Sequence, residues 1–109
     1  MYAPNCSMTQ EQREALKSID FFTTLNVEAA VSWLYAKDYL KVFHVERIEA
    51  KKISQGLTAS RVEFLKILPS RGQKAYVEFY ACLLSKDGAN QQHLAKLLES
   101  ALPIQQSAS

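Results

Sequence analysis

Ser60–Leu84 reads SRVEFLKILPSRGQKAYVEFYACLL, and this stretch decides the fold. Phe64, Leu65 and Leu68 share one helical face with Val62 and Ile67 flanking it, the spacing of a helix laid on a core. Pro69 falls where that pattern stops, and Gly72 follows. Proline removes a backbone donor, and glycine accepts the positive φ that turns a chain out of a helix. The pattern then restarts. Ala75, Phe79 and Leu83 form one row at i, i+4, i+8, and Tyr76, Tyr80 and Leu84 form the row beside it. Two helices joined by a tight corner make a helical hairpin.

The same residues carry a resemblance. Phe64-Leu-Lys-Ile-Leu-Pro-Ser-Arg-Gly72, Lys74-Ala-Tyr-Val-Glu-Phe79 and Cys82-Leu-Leu84 resemble the fourth and fifth helices of a caspase recruitment domain (CARD). The likeness is nearest to the CARDs of initiator caspases and their adaptors, whose corner reads I-L-P-x-R-G-P-x-A-F. Gln73 stands where proline is usual and Tyr76 where phenylalanine is usual. Gln73 still begins a helix and Tyr76 still buries a ring.

Working outward, Thr9 and Gln12 have capping-box spacing, and Leu16, Ile19 and Phe22 supply the stripe of a first helix. The resemblance implies that this helix is bent or split; the spacing only permits it. Asn26 is a natural N-cap for a second helix running to about Lys37 through Val27, Ala30, Val31 and Leu34. Asp38–Lys41 connects to a short third helix, about Phe43–Lys51, with Val45 and Ile48 facing inward and Phe43 a further candidate for that face. Lys52–Leu57 reads as a loop. Thr58 or Ser60 caps the fourth helix, and Ser60 with Glu63 offers a second capping box. Beyond a connector at Ser85–Asn90, a sixth helix spans roughly Gln91–Leu102, stopped by Pro103. The expectation is therefore all-α. The resemblance implies an antiparallel six-helix bundle of the death-fold superfamily over residues 9–103, with a flexible arm at 1–8 and a disordered tail at 104–109.

Composition bounds the function. The 109 residues hold one domain's worth of chain, nearly half of it apolar, with thirteen basic and eleven acidic residues for a net charge of +2. No apolar run approaches a membrane span, and no signal peptide opens the chain. Cys6 and Cys82 lack metal-ligand spacing and read as reduced thiols of a cytoplasmic protein. His44 and His93 are solitary, and no phosphate-loop, dinucleotide or nucleophile-elbow motif is present. No catalytic residue, cofactor or metal is expected. A nucleic-acid-binding module is the remote alternative: Lys41, Arg47, Lys51 and Lys52 gather around the third helix, but Glu46 and Glu49 share it and repel phosphate.

The resemblance implies a protein-interaction module that docks on other CARDs, those of caspases, adaptors or signalling proteins. An acidic surface of the second and third helices meets a basic surface of the first and fourth. Glu28, Asp38, Glu46 and Glu49 are the candidates for the acidic surface, and Arg13, Lys17, Arg61 and Lys66 for the basic one. Opposite charge on opposite faces gives head-to-tail docking, including weak self-association. Standing alone, such a CARD regulates caspase activation or innate signalling as a decoy; excised from a larger protein, it is a recruitment prodomain.

Overall fold

The computed structural model describes residues 7–102 and is all-α among them. The expected arm and tail fall mostly outside that range. Met8, the arm's last residue, is buried in the core.

Thr9 builds the expected box: its Oγ1 accepts from Gln12 N–H (3.1 Å), and Gln12 Oε1 accepts from Thr9 N–H (2.9 Å). Helix α1 (Gln10–Ala15) follows. Gln12 is itself buried and donates Nε2 to Ala101 O (3.0 Å), tying the start of the domain to its end. The chain breaks at Leu16–Ser18 and resumes as α2 (Ile19–Thr24), capped by Ser18. The break changes which side chains point inward. Leu16, Phe21 and Leu25 enter the core, whereas Ile19 is 69% exposed and Phe22 only half-buried, correcting the expected stripe.

Asn26 caps α3 (Val27–Ala36) by accepting from Ala29 N–H (3.2 Å). Gln91, 65 residues further along the chain, then clamps the α2–α3 link, accepting from Asn26 N–H (2.7 Å) and donating to Thr24 O (2.6 Å).

The third expected helix is longer than its sequence pattern. Helix α4 runs Val42–Gln55, and α5 spans Leu57–Ile67. The expected loop at Lys52–Leu57 is reduced to Gly56, at φ 101°, ψ 175°. Nothing before Gly56 breaks a helix, because Lys52–Gln55 contain neither glycine nor proline. Neither Thr58 nor Ser60 is a cap. Ser60 lies inside α5, buried, and its hydroxyl donates to Leu57 O (2.6 Å). Its expected partner Glu63 pairs elsewhere. On α4 the inward residues are His44 and Ile48; Phe43 is 56% exposed, its ring against His44 at 4.1 Å.

After α5, Leu68–Arg71 tightens into a 3-10 turn around Pro69, and Gly72 (φ 91°) opens α6 (Gln73–Leu84). Ala75, Phe79 and Leu83 are fully buried, as the row predicts, while the outer row turns out to water at Leu84. Phe79 sits between Phe21 (5.8 Å) and Phe64 (5.4 Å), so α2, α5 and α6 share one aromatic centre. Helix α7 (Gln92–Leu98) and a final 3-10 turn at Glu99–Ala101 close the domain, with Tyr76 Oη donating to Leu98 O (2.9 Å).

Candidate interaction surfaces

Catalysis needs convergent reactive groups. Cys82 lies buried facing α3, its Sγ 3.8 Å from Ala29 O, and burial pushes its thiol above the usual range. A thiol raised in this way is a poor nucleophile. His44 Nδ1 accepts from Lys41 N–H (2.9 Å), which closes the start of α4, and that nitrogen is committed to the fold. Among the described residues no cluster of His, Cys, Asp and Glu could hold a metal ion, and no helix is long and apolar enough to cross a membrane. What the surface does offer is charge.

On one side, Glu28 stands exposed in the first turn of α3, and Glu46 and Glu49 stand exposed on α4. Between α3 and α4 lies a slot of about 230 Å³ lined by the apolar Val27, Val31, Val45 and Ile48, by Ser32 and Ser60, and by Glu28, Glu49 and Lys52. Lys52 reaches across from α4 to Glu28, and its ammonium holds that carboxyl below the usual range. Asp38 sits in the α3–α4 loop with φ 69°, paired to Lys41 at 3.2 Å.

On another side, Arg13 of α1 and Lys66 of α5 line one depression of about 510 Å³ together with Pro69, Ser70, Arg71 and Gly72. Arg13 and Lys66 are exposed and make no ion pair among the described residues. Arg71 was absent from the expected set. Its Nε donates to Tyr39 O (2.7 Å), bracing the α5–α6 corner against the α3–α4 loop, and the residue lines the depression. Its place in the Pro69–Gly72 corner was the signal for it. Lys17 is exposed in the turn after α1 and does not line that depression.

Arg61 is placed apart from the other basic candidates. It lies about 140° around α5 from Lys66, given 100° per residue. Its guanidinium donates to Leu25 O (2.8 Å) and Phe22 O (3.3 Å), closing the end of α2. It also lines a depression with Glu28 and Lys52, so its neighbours are those of the acidic side. The cations of the nucleic-acid alternative are largely neutralised: Lys41 by Asp38, Arg47 by Glu63 at 3.2 Å, and Lys52 by Glu28. Glu63 therefore does not pair with Lys66, the neighbour one turn away.

Comparison with known proteins gives one family and one relative. The family model for the caspase recruitment domain matches residues 9–101. Caspase-2 of Gallus gallus is 33% identical over 95 residues, covering 85% of this chain and 21% of the relative. The chain thus spans about one fifth of that protein's length. No solved structure matches.

Proposed function

The chain belongs to the caspase recruitment domain family, and from that premise we propose that it works by homotypic docking on the CARDs of caspases, adaptors or signalling proteins. Helices α1 and α2 are taken together as one broken first helix, which makes the domain the antiparallel six-helix death fold. The family is an interaction domain rather than a catalytic one, and the chain itself is proposed to carry no catalysis.

One observation carries the docking reading: cations with no ion pair among the described residues and exposed carboxylates occupy separate depressions. Arg13 and Lys66 line one, Glu28 and Glu49 the other. Arg13, Lys66 and Lys17 form the basic face; Glu28, Glu46, Glu49 and Asp38 form the acidic face. Arg61 acts on the acidic side by positioning α2 against α5. Faces of opposite sign favour head-to-tail contacts that set partner choice and encounter rate. Charge pairing around α4 leaves little net positive potential for nucleic acid, which argues for protein partners; these are proposed to be cytoplasmic.

Docking regulates caspase activation or innate signalling. A CARD that docks without an attached protease occupies a partner's face and inhibits as a decoy, whereas one joined to a protease recruits it; the decoy role is the one we propose. Capture by a panel of purified CARDs, with Arg13→Glu and Glu46→Lys as variants, tests the reading. Loss of capture in folded variants supports it; capture of no CARD by the wild-type chain overturns it. Addition of the chain to an activation assay of the captured caspase reads the sign: a fall in protease output supports the decoy role, and a rise contradicts it.

A further inference from the structure

The acidic face already contains a cation from its own chain. Lys52, in the last turns of α4, places Nζ on Glu28 Oε2, a contact between residues 24 apart in sequence. Glu49, one turn earlier on α4, adds attraction for the same ammonium. Each partner moves the other: Glu28 is held below the usual carboxylate range and Lys52 above the usual ammonium range. The pair helps to line the slot of about 230 Å³, whose other walls are apolar at Val27, Val31, Val45 and Ile48 and polar at Ser32 and Ser60. A slot of that volume takes one side chain, not a helix.

Apolar walls beside two carboxylates suit a side chain with an aliphatic stem and a cationic head. Arginine fits better than lysine, because a planar guanidinium can engage two carboxylates at once whereas an ammonium is a point charge. Resting on the docking function proposed above, we infer that Lys52 is an intramolecular stand-in for a partner's arginine, holding Glu28 in the free chain until docking displaces it. A partner lysine merely exchanges one ammonium for another and gains little. A partner arginine whose stem fills the slot and whose head reaches both Glu28 and Glu49 gains contacts that Lys52 lacks. The displaced cation thus lowers affinity for every partner and raises discrimination among them.

The test titrates n-butylguanidinium, the arginine side chain with one carbon standing in for Cα, into the full chain while methyl NMR signals are followed. Shifts are expected at Val27, Val31, Val45 and Ile48, with n-butylammonium weaker. Lys52→Met keeps the stem and removes the charge; it is expected to tighten n-butylguanidinium about two- to five-fold, the scale of an exposed ion pair. Lys52→Arg keeps the pair and is expected not to tighten it. Absence of slot shifts in Lys52→Met, or affinity no better than wild type, overturns the stand-in role. The CARD panel separates the two ideas. Capture of wild type with no gain in Lys52→Met overturns the stand-in role and leaves docking intact. Capture of neither, with n-butylguanidinium still tighter in Lys52→Met, overturns docking while the occupancy of Glu28 by Lys52 stands.

Discussion

Arg47 of α4 reaches Glu63 of α5 at 3.2 Å, and Glu63 is only 5% exposed. The pair crosses the helix hairpin hinged at Gly56, with its cation in water and its carboxylate in the protein. Removing the arginine strands a buried charge; removing both members does not.

Arg47→Met is therefore expected to cost about 1–2 kcal/mol, the lower part of the range for an orphaned buried charged group because the arginine is open to solvent. Arg47→Met with Glu63→Met should recover most of that loss. Urea unfolding of both variants checks it. A double variant less stable than Arg47→Met by more than about 1 kcal/mol contradicts the reading.

Phe79 and Phe43 are both rings on helices, and only the first is core. Phe79→Ala should cost about 3–5 kcal/mol, since it empties the space between Phe21 and Phe64. Phe43→Ala should stay within about 1 kcal/mol, as expected of a surface ring. Equal losses in thermal or urea unfolding would refute the inward register of α6.

Gly56 joins α4 to α5 at φ 101°, and a Cβ there would meet nothing within 4 Å. The penalty for Gly56→Ala is thus backbone strain alone, about 1–3 kcal/mol. Stability equal to wild type would mean that the hairpin closes by another backbone path.

His44 is buried and faces Arg71, Arg47 and Lys41, so burial first and these cations second hold its pKa below the ordinary 6.5. The unfolded chain takes up this proton before the folded one does. His44 thus contributes stability in full above pH about 6.5 and loses it as pH falls toward the lower folded value. His44→Gln can still accept from Lys41 N–H, and its stability should be flatter between pH 7 and 5.5. Parallel profiles for wild type and variant would contradict this.

Much of the architecture is readable from pattern. Thr9 with Gln12, Asn26, and the Ala75–Phe79–Leu83 row follow from local spacing, because caps and core faces are made by neighbours in the chain. The errors arise where the deciding contact is remote or the breaker is single. Lys52–Gln55 look loop-like beside Gly56, yet helix propagates through them until the one residue that changes φ. The Phe21 register follows from a break at Ser18 that periodicity permits but does not place. Among the charged candidates, helical phase separates Arg61 from Lys66, but only tertiary packing reveals that Arg61 serves the carbonyls of Leu25 and Phe22. The Lys52–Glu28 contact, spanning 24 residues, leaves no local pattern at all.

The most direct test is the dissociation constant for a captured CARD at low and high salt, for wild type, Arg13→Glu and Glu46→Lys. Docking by opposed charged faces predicts that at least one reversal weakens binding about tenfold or more at low salt, with the gap shrinking as salt screens the contacts. Unchanged affinity in both folded variants at low salt would contradict it.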